Sequence, residues 1–311
     1  MKNLLTRRDF LRTAGATIAV AAAGPQLFAA DEKPSTPQAK RPIKKAIMWG
    51  TIGVKGSIAE KMKAVKAAGF DGVEMMSHMD ADEVLRARDA SGLEIPSVCG
   101  EKHWGKPLSS PDAAVRAEGL AGLKQTLRDA KRYGASSVLL VPAVVNQEIS
   151  YAAAYTRSQA EIREAVPLAE ELGVKIAIEN VWNNFLLSPL EAVRYVDEFN
   201  STAVGWHFDV GNVIATGWPE QWIQILGQRI QKVHIKEFSR KKMNEEGLRK
   251  GFAVEYLEGD NDWPAVMKAF DEIGYNGWCI VEPACGPCQE KLSPEEFLKK
   301  VSADLDEILA S

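Results

Sequence analysis

The sequence lacks the features that mark several common functional classes. Its 311 residues carry 38 basic and 42 acidic side chains, for a net charge of −4, and no basic patch stands out. Nothing in the chain would therefore attract the phosphates of a nucleic acid or an anionic membrane surface, and neither is expected as a partner. Histidine is scarce, with four residues in all, which argues against a site that binds three metal ions through many histidines.

Cysteine is also scarce, with four residues. Cys99 and Cys279 lie in apolar, strand-like runs, where a thiol serves as a small core side chain. Cys285 and Cys288 form the sequence CGPC, which is known from dithiol redox proteins with a much smaller fold. A local disulfide in an oxidising compartment is the favoured interpretation of this pair. An incidental pair and a redox function are the alternatives.

No run of the chain is long and apolar enough to predict a stable membrane span. Residues 1–30 instead contain a twin arginine, Arg7 and Arg8, followed by a mild apolar run from Ala14 to Ala23 and by small residues. This pattern is typical of a twin-arginine export signal. We therefore expect the export machinery of that pathway as a partner and a periplasmic location. An amphipathic N-terminal helix of the folded domain is the alternative.

Residues 31–43 are polar and rich in proline, which predicts a disordered linker. From residue 44 to residue 311, eight strand-like apolar runs alternate with helical patterns. Several helices are predicted to begin at Ser-Pro and several to end at glycine, as capping preferences require. The strand-like runs are KAIMWG, GVEMMS, EIPSVCG, SSVLLVPA, VKIAIEN, VGWHFDVG, QKVHIKEF and GWCIVEPA.

Eight strand–helix units predict a single α/β domain with the (β/α)8 TIM barrel fold. An open doubly wound sheet is the alternative. The sequence contains no GxGxxG turn, with which such sheets bind the phosphates of dinucleotides, and this counts against the alternative.

Four of the predicted strands each end with one side chain of a type that binds metals. They are Glu179, Asp209, His234 and Glu282, at intervals of 30, 25 and 48 residues. In a barrel the carboxyl ends of the strands meet at one rim, so the four side chains are expected to converge. One imidazole and three carboxylates suit a hard or borderline divalent cation with open coordination positions.

The motifs IEN, DVGN, HIKE, GDNDWP and VEP give the chain a resemblance to a known superfamily, from about Lys44 to the end. It resembles the sugar isomerases and epimerases with a xylose-isomerase-like barrel, which include ketose 3-epimerases, pentulose-phosphate 3-epimerases, hydroxypyruvate isomerase and inosose dehydratase. The resemblance implies one bound Mn²⁺, Mg²⁺, Co²⁺ or Zn²⁺ at the four positions named above. It also implies that Glu179 and Glu282 face each other across the substrate.

Elementary chemistry explains why two glutamates would be needed. A ketose held by a metal through its carbonyl and the adjacent hydroxyl has an acidified C–H bond beside the carbonyl. Glu179 on one face and Glu282 on the other would remove and return that proton through an enediolate. Return from the opposite face epimerises the carbon, and return to the neighbouring carbon isomerises the sugar.

Further residues are candidates for contact with the substrate. Arg240 matches an arginine that contacts substrate in several ketose epimerases, although a surface cation is an equal alternative. Asn212 stands where free-ketose epimerases tend to carry histidine, and pentulose-phosphate epimerases are more similar here. Lys236 is two residues after His234 and shares its face of the strand, where it would neutralise an anionic intermediate or pair with a ligand carboxylate.

Two loops and one strand add to these candidates. His103 and Trp104 follow the third strand, where a histidine would contact a hydroxyl and a tryptophan would stack on the sugar. Trp182 is expected in the pocket wall. Glu74 is expected to serve a structural polar network, and the charged segment 239–262 is typical of a mobile loop over the barrel mouth.

The leading hypothesis is a metal-dependent isomerase or epimerase that acts on a keto-sugar or related polyol. A lyase or dehydratase acting on a keto-sugar, an inosose or a 3-keto-glycoside is the first alternative, because loss of a leaving group can follow the same proton removal. A non-catalytic sugar-binding barrel is the second, but binding alone would not require two opposed carboxylates. Related barrels often form dimers or tetramers, and no sequence feature decides between a monomer and a homo-oligomer.

Overall fold

The computed structural model describes residues 41–283 and 292–311. Within them, eight parallel strands pair in chain order and close into a barrel as the last strand pairs with the first. The strands are β1 (Lys44–Met48), β2 (Gly72–Met76), β3 (Ser97–Cys99), β4 (Ser137–Leu140), β5 (Lys175–Glu179), β6 (Val204–Asp209), β7 (Ile230–Ile235) and β8 (Trp278–Val281). The predicted TIM barrel is confirmed. The predicted export signal, the linker up to residue 40, and Cys285 and Cys288 lie outside the described residues.

Helices connect the strands, and apolar side chains between the helices and the strands form the core. The α-helices are α1 (Ile58–Ala67), α2 (Ala81–Ser91), α3 (Ala113–Tyr133), α4 (Tyr151–Arg163), α5 (Val166–Leu172), α6 (Pro189–Asp197), α7 (Gly211–Ile214), α8 (Pro219–Leu226), α9 (Arg240–Glu246), α10 (Trp263–Glu272) and α11 (Pro294–Ala310). In the described ranges, no helix is both long and apolar enough to cross a membrane.

Local capping explains where many of these helices begin and end. The side chain of Ser293 accepts a hydrogen bond from the Glu296 N–H group, and Pro294 occupies the first turn of α11. At the other end of such units, Gly134 terminates α3 with a φ of 83°, a left-handed conformation that glycine adopts without steric cost. The Ser-Pro and glycine signals in the sequence therefore mark real boundaries.

One predicted helix is divided in the structure. The sequence pattern predicts a continuous helix over residues 155–172, whereas α4 ends at Arg163 and α5 begins at Val166. Pro167 lies in the first turn of α5. Because proline has no N–H group and its ring obstructs the preceding turn, it is accepted at the start of a helix and not in the interior. The prediction of one helix was wrong for this reason.

The charged segment 239–262 has more regular structure than its composition predicts. It contains α9 and a 3₁₀ helix over Leu248–Phe252. The carboxylate of Glu237 holds its far end by accepting hydrogen bonds from the Leu257 N–H group and the Trp263 indole N–H group, each at 3.0 Å, and from the Asn261 side-chain amide at 2.5 Å. The HIKE and GDNDWP motifs therefore meet in one buried network.

Strand register brings the metal-type side chains together. Asp209 on β6 is the register partner of His234 on β7, so that these two residues are neighbours across one strand pair. Ile235 on β7 pairs with Val281 on β8, which places Glu282 directly beyond the end of that pair. The separation of these side chains is therefore set by backbone pairing in the most rigid part of the fold.

Candidate metal centre at the carboxyl ends of the strands

The structure brings the four metal-type residues to one point. Glu179, Asp209, His234 and Glu282 each present one ligand atom, and these atoms all lie within 4.8 Å of one another. The Nδ1 atom of His234 is 3.0 Å from Glu179 Oε1 and 3.0 Å from Glu282 Oε2. One imidazole nitrogen on β7 is therefore within reach of two carboxylates, one at the end of β5 and one directly after β8.

The chemistry of this donor set fits a divalent cation. Asp209, His234 and Glu179 are buried, so that three carboxylates share a poorly solvated space with one imidazole. Lys236 extends its ammonium group to within 2.7 Å of Asp209 Oδ2 and 2.8 Å of Glu282 Oε2. With a neutral imidazole at His234, the ammonium group of Lys236 offsets one of the three carboxylate charges, and the remaining two negative charges match a divalent cation. Oxygen-rich sites with one nitrogen suit Mn²⁺, Mg²⁺, Co²⁺ or Zn²⁺. The residues present thus fit the predicted cation.

The carboxylates experience different electrostatic environments. Burial raises the pKa of Glu179 to about 7, although His234 opposes this effect. Burial also raises the pKa of Asp209 above its ordinary value. At Glu282 burial acts in the same direction, but Lys236 and His234 outweigh it and hold the pKa of this carboxyl well below its ordinary value. The two glutamates therefore differ in their affinity for a proton.

Two asparagines fix the position of Asp209. The side-chain oxygen of Asn180 accepts hydrogen bonds from the Asp209 N–H group at 2.9 Å and from the Trp206 indole at 3.1 Å. The side-chain NH₂ group of Asn180 donates to the carbonyl oxygen of Asp209 at 2.7 Å. The Asn212 N–H group donates to Asp209 Oδ1 at 2.8 Å. Asn180 of the IEN motif thus fixes the backbone of Asp209, and the backbone N–H group of Asn212 in the DVGN motif orients its carboxylate.

A cavity of about 530 Å³ lies at the carboxyl ends of the strands and includes Glu179, His234 and Glu282 in its wall. A cavity of this size accommodates a small-molecule ligand. Around the three cluster residues, its wall is formed by Met48, Met76, Cys99, Gly100, Glu101, His103, Trp104, Leu139, Val181, Trp182, Asn212, Lys236, Arg249 and Phe252.

Five of the six predicted substrate-contact residues line this cavity. They are His103, Trp104, Trp182, Asn212 and Lys236. The ring of Trp104 is about half exposed at the rim, which leaves its face available for stacking.

The structure does not bring Arg240 into the cavity wall. Its guanidinium group donates to the carbonyl oxygens of Ile214 and Gly217, at 2.9 Å each, and lies over the ring of Trp218. These contacts give Arg240 a role in holding the loop after β6. The prediction of substrate contact by Arg240 therefore has no support from this arrangement.

Sequence reasoning missed two cavity residues of the segment 239–262, Arg249 and Phe252. The Phe252 ring packs against Trp182, with ring centroids 4.7 Å apart, and its face is 5.6 Å from the Lys236 Nζ atom. Arg249 shares the segment with several other basic residues, and the sequence contains no signal for which of them faces the barrel mouth.

Comparison with known proteins identifies the family. The profile of the xylose isomerase-like TIM barrel family matches residues 62–301. The chain belongs to this family. An L-ribulose-5-phosphate 3-epimerase of Escherichia coli O1:K1 is 26% identical over 237 residues, which cover 72% of this chain and 81% of the relative.

Solved structures agree on the fold. A D-psicose 3-epimerase crystallised in the presence of D-fructose superposes with a TM-score of 0.70 at 20% identity, over 86% of this chain and 100% of the other. The IOLI protein with a bound zinc atom superposes with a TM-score of 0.69 at 20% identity, over 86% of this chain and 98% of the other. The family and its barrel are therefore established for this chain, and its similar curated relatives are enzymes that act on sugars.

Proposed function

We propose that this protein is a divalent-metal-dependent sugar epimerase or isomerase that acts on a keto-sugar or a related polyol. The observation that carries the proposal is the position of Glu179 and Glu282. Both carboxylates reach the same nitrogen of His234, at 3.0 Å each, and both line the cavity. Two carboxylates around one substrate position are what proton removal and return require. The similarity to an L-ribulose-5-phosphate 3-epimerase supports this reaction class.

Glu179, Asp209, His234 and Glu282 would hold the cation. When bound, a divalent cation polarises the substrate carbonyl and stabilises the negative charge that develops beside it. The zinc atom in the similar IOLI protein supports a metal in this fold but does not decide the ion used here. The oxygen-rich donor set leaves Mn²⁺, Mg²⁺, Co²⁺ and Zn²⁺ as candidates.

The protein's own residues would perform the proton transfer. One glutamate, in its ionised form, would accept the proton as the C–H bond breaks; the C–H electron pair forms the C=C bond and the carbonyl π pair moves to the carbonyl oxygen. The other glutamate, in its protonated form, would donate its proton to the opposite face of the same carbon while the C=O bond re-forms, so that the configuration inverts. The ammonium group of Lys236, close to Asp209 and Glu282, adds a positive charge near the negative charge on the substrate.

The remaining cavity residues would position the sugar. Trp104 presents a half-exposed ring for stacking, and Trp182 is held in the wall by a hydrogen bond from its indole to the Asn212 carbonyl oxygen at 3.0 Å. His103 lies in the wall with its Nδ1 atom accepting from the Val141 N–H group at 3.3 Å. Positioning of this kind lowers the entropic part of the barrier.

The test is hydrogen exchange at carbon in D₂O. Metal-analysed protein would be incubated with ketoses, ketose 5-phosphates, inososes and 3-keto-glycosides while NMR follows the C–H signals. Exchange with a new epimer establishes an epimerase, and a new aldose establishes an isomerase. Exchange with a lost substituent would establish the lyase alternative instead. No exchange with any of these compounds, with metal bound, would contradict the proposal and favour a sugar-binding barrel.

Variants connect the result to the site. We expect Glu179→Gln and Glu282→Gln each to lower kcat by at least about 100-fold, the usual scale for a general acid or base, because an amide cannot carry the transferred proton. Glu101→Gln is the matched control, since Glu101 lines the cavity outside the metal cluster. An equal loss of activity in all three variants would indicate a general electrostatic effect in place of proton transfer.

We further propose that the chain is exported by the twin-arginine pathway. The support is the sequence of residues 1–30, with Arg7 and Arg8 before a mild apolar run. Replacement of both arginines by lysine should leave the protein in the cytoplasmic fraction. Unchanged periplasmic recovery would contradict the proposal.

A further inference from the structure

A third glutamate reaches the metal cluster from beneath, inside the barrel. Glu74 is the third residue of β2 and its side chain is fully buried. Its Oε2 atom is 2.8 Å from the Nε2 atom of His234. β2 pairs with β1 and β3, whereas β7 pairs with β6 and β8, so this contact crosses the barrel interior. His234 therefore has carboxylates at both ring nitrogens.

The position of Glu74 is costly for a carboxylate. Its other oxygen, Oε1, has no hydrogen-bond partner among the described residues, and the Nδ1 atom of His207 lies 3.9 Å from it, beyond hydrogen-bond distance. Lys232 attracts Glu74, but it is itself buried and donates to Ser136 Oγ at 2.8 Å. An incompletely paired carboxylate in a barrel core lowers stability. The short contact with His234 Nε2 therefore indicates a functional reason for a carboxylate at this position.

We propose that Glu74 is a positioning residue that orients His234 for metal binding. Its carboxylate accepts a hydrogen bond from the Nε2–H group, so that the proton of the neutral ring stays on Nε2 and Nδ1, without hydrogen, is directed at Glu179 and Glu282. Neutral imidazole has one N–H group, and the partner of that group decides which nitrogen is available to a metal. A carboxylate partner also makes the ligating nitrogen more basic. The proposal rests on the metal-dependent function proposed above.

His207 completes the arrangement. Its ring meets the His234 ring edge to face, with centroids 4.2 Å apart and planes at 70°. His207 is fully buried, and both of its ring nitrogens lack hydrogen-bond partners in the described part of the chain. Its packing limits rotation of His234, while Glu74 sets the direction of the N–H group.

A second metal site is the competing explanation, because ligand atoms of Glu74, His207 and His234 also lie within 4.8 Å of one another. The 2.8 Å separation of Glu74 and His234 is a hydrogen-bond distance. A second ion would require His234 to bind metals through both nitrogens. One metal and one hydrogen bond at His234 is the simpler use of the same atoms.

The first measurement is metal affinity by competition with a chelator, using Zn²⁺ and Mn²⁺. We expect Glu74→Ala to weaken affinity by about 10-fold to 100-fold, the usual effect of losing such a partner. Glu74→Gln keeps a carbonyl acceptor for Nε2–H and should recover part of the loss. Ser97→Ala is the control, since Ser97 is also buried and its hydroxyl lacks a partner among the described residues. The metal affinity of the Ser97→Ala variant should equal that of the wild type.

The second measurement is ¹⁵N NMR of histidine rings in Zn²⁺-loaded protein, which four histidines make tractable. Wild-type protein should show His234 with a proton on Nε2 and a metal-shifted Nδ1, and Glu74→Ala should alter both signals. If Glu74→Ala does not fold, the wild-type spectrum and Glu74→Gln still decide the question.

Three results would overturn the proposal. They are equal metal affinity and ring signals in Glu74→Ala, a wild-type His234 whose Nε2 carries no proton, and two Zn²⁺ ions per wild-type chain. A wild type that binds no metal would overturn both this proposal and the metal-dependent function. Metal binding that depends on Glu74, without exchange of any sugar C–H, would overturn the proposed function alone.

Discussion

The network around Glu237 offers a quantitative test of how the structure holds the segment over the cavity. Oε2 of Glu237 accepts from the Trp263 indole and the Leu257 N–H group, each at 3.0 Å. Oε1 accepts from the Asn261 side-chain amide at 2.5 Å and from the Phe238 N–H group at 3.2 Å. The Asn261 N–H group is a fifth donor, 3.4 Å from Oε1, so both carboxylate oxygens are needed as acceptors. The perturbation that tests this is Glu237→Gln, which changes one acceptor oxygen into an NH₂ group.

The expected loss follows from this count. The smaller loss arises when the glutamine oxygen takes the place of Oε1, because the NH₂ group then faces only the two donors to Oε2, which have no acceptor. A buried donor left without its partner costs about 1–3 kcal/mol, so two give about 2–6 kcal/mol. Burial raises the pKa of Glu237, which means that removing its charge recovers part of this free energy. We therefore expect the free energy of unfolding to fall by about 2–3 kcal/mol, in the lower part of that range.

Urea denaturation followed by tryptophan fluorescence would measure the change. Glu258→Gln is the control, because Glu258 is an exposed glutamate of the same segment. Its stability should stay within about 0.5 kcal/mol of the wild type, as is usual for surface substitutions. A Glu237→Gln variant as stable as Glu258→Gln would refute the reasoning. Protection of the segment from proteolysis should fall together with stability, since the Glu237 network anchors its far end through Leu257 and Asn261.

Two further predictions concern the cavity wall. Burial lowers the pKa of His103 from 6.5 to about 4, so the unfolded chain binds a proton that the folded chain does not between these pH values. The free energy of unfolding is therefore unaffected by His103 above pH 6.5 and falls as the pH decreases towards 4. The total fall is about 3 kcal/mol, at about 1.4 kcal/mol per pKa unit. His103→Asn should flatten that part of the pH–stability curve, and an unchanged slope would contradict the assignment. If the substrate carries a phosphate, Arg249→Gln should raise KM about 10-fold more for a ketose 5-phosphate than for the free ketose, the scale of one charge-assisted contact. Arg240→Gln should lower stability without changing that ratio, and equal effects of the two variants on the ratio would be the contrary result.

The barrel could be predicted because its signals are local. Each strand-like run is a short apolar segment. Helix boundaries are also set by contacts within a few residues: Ser293 and Pro294 begin α11, and Gly134 ends α3. The one helix predicted wrongly, over residues 155–172, failed on an equally local signal, Pro167. Pro167 is visible in the sequence, but the helical pattern continues past it and favours one unbroken helix.

The metal-type cluster could be predicted for a different reason. Asp209 and His234 lie on neighbouring parallel strands, and equal depth along such strands follows from the fold once the barrel is recognised. Glu74 is also on a strand, and the sequence predicted a polar network for it without naming its partner. Its contact with His234 crosses the barrel, and no pattern along one strand shows which side chain meets it from the opposite side.

Residues of the loops could not be predicted in the same way. Arg240 and Arg249 are both basic residues of the segment 239–262, yet one binds backbone carbonyl oxygens and the other lines the cavity. The difference arises because α9 begins at Arg240, beside the loop after β6, while the 3₁₀ helix that follows carries Arg249 to the barrel mouth. This choice depends on tertiary packing, for which the charge pattern contains no signal.

The division between strand residues and loop residues has a consequence for function. Asp209, His234 and Lys236 are held by the pairing of β6 with β7 or lie directly after it, so their geometry changes little unless the barrel itself changes. Arg249 and Phe252 belong to a segment that is anchored at its far end through Glu237 and its donors. A substitution in that segment would alter charge and shape at the cavity mouth without moving the two glutamates that we propose transfer the proton. The reaction type is therefore expected to follow from the strands, and the choice of sugar, above all whether it carries a phosphate, from the segment 239–262.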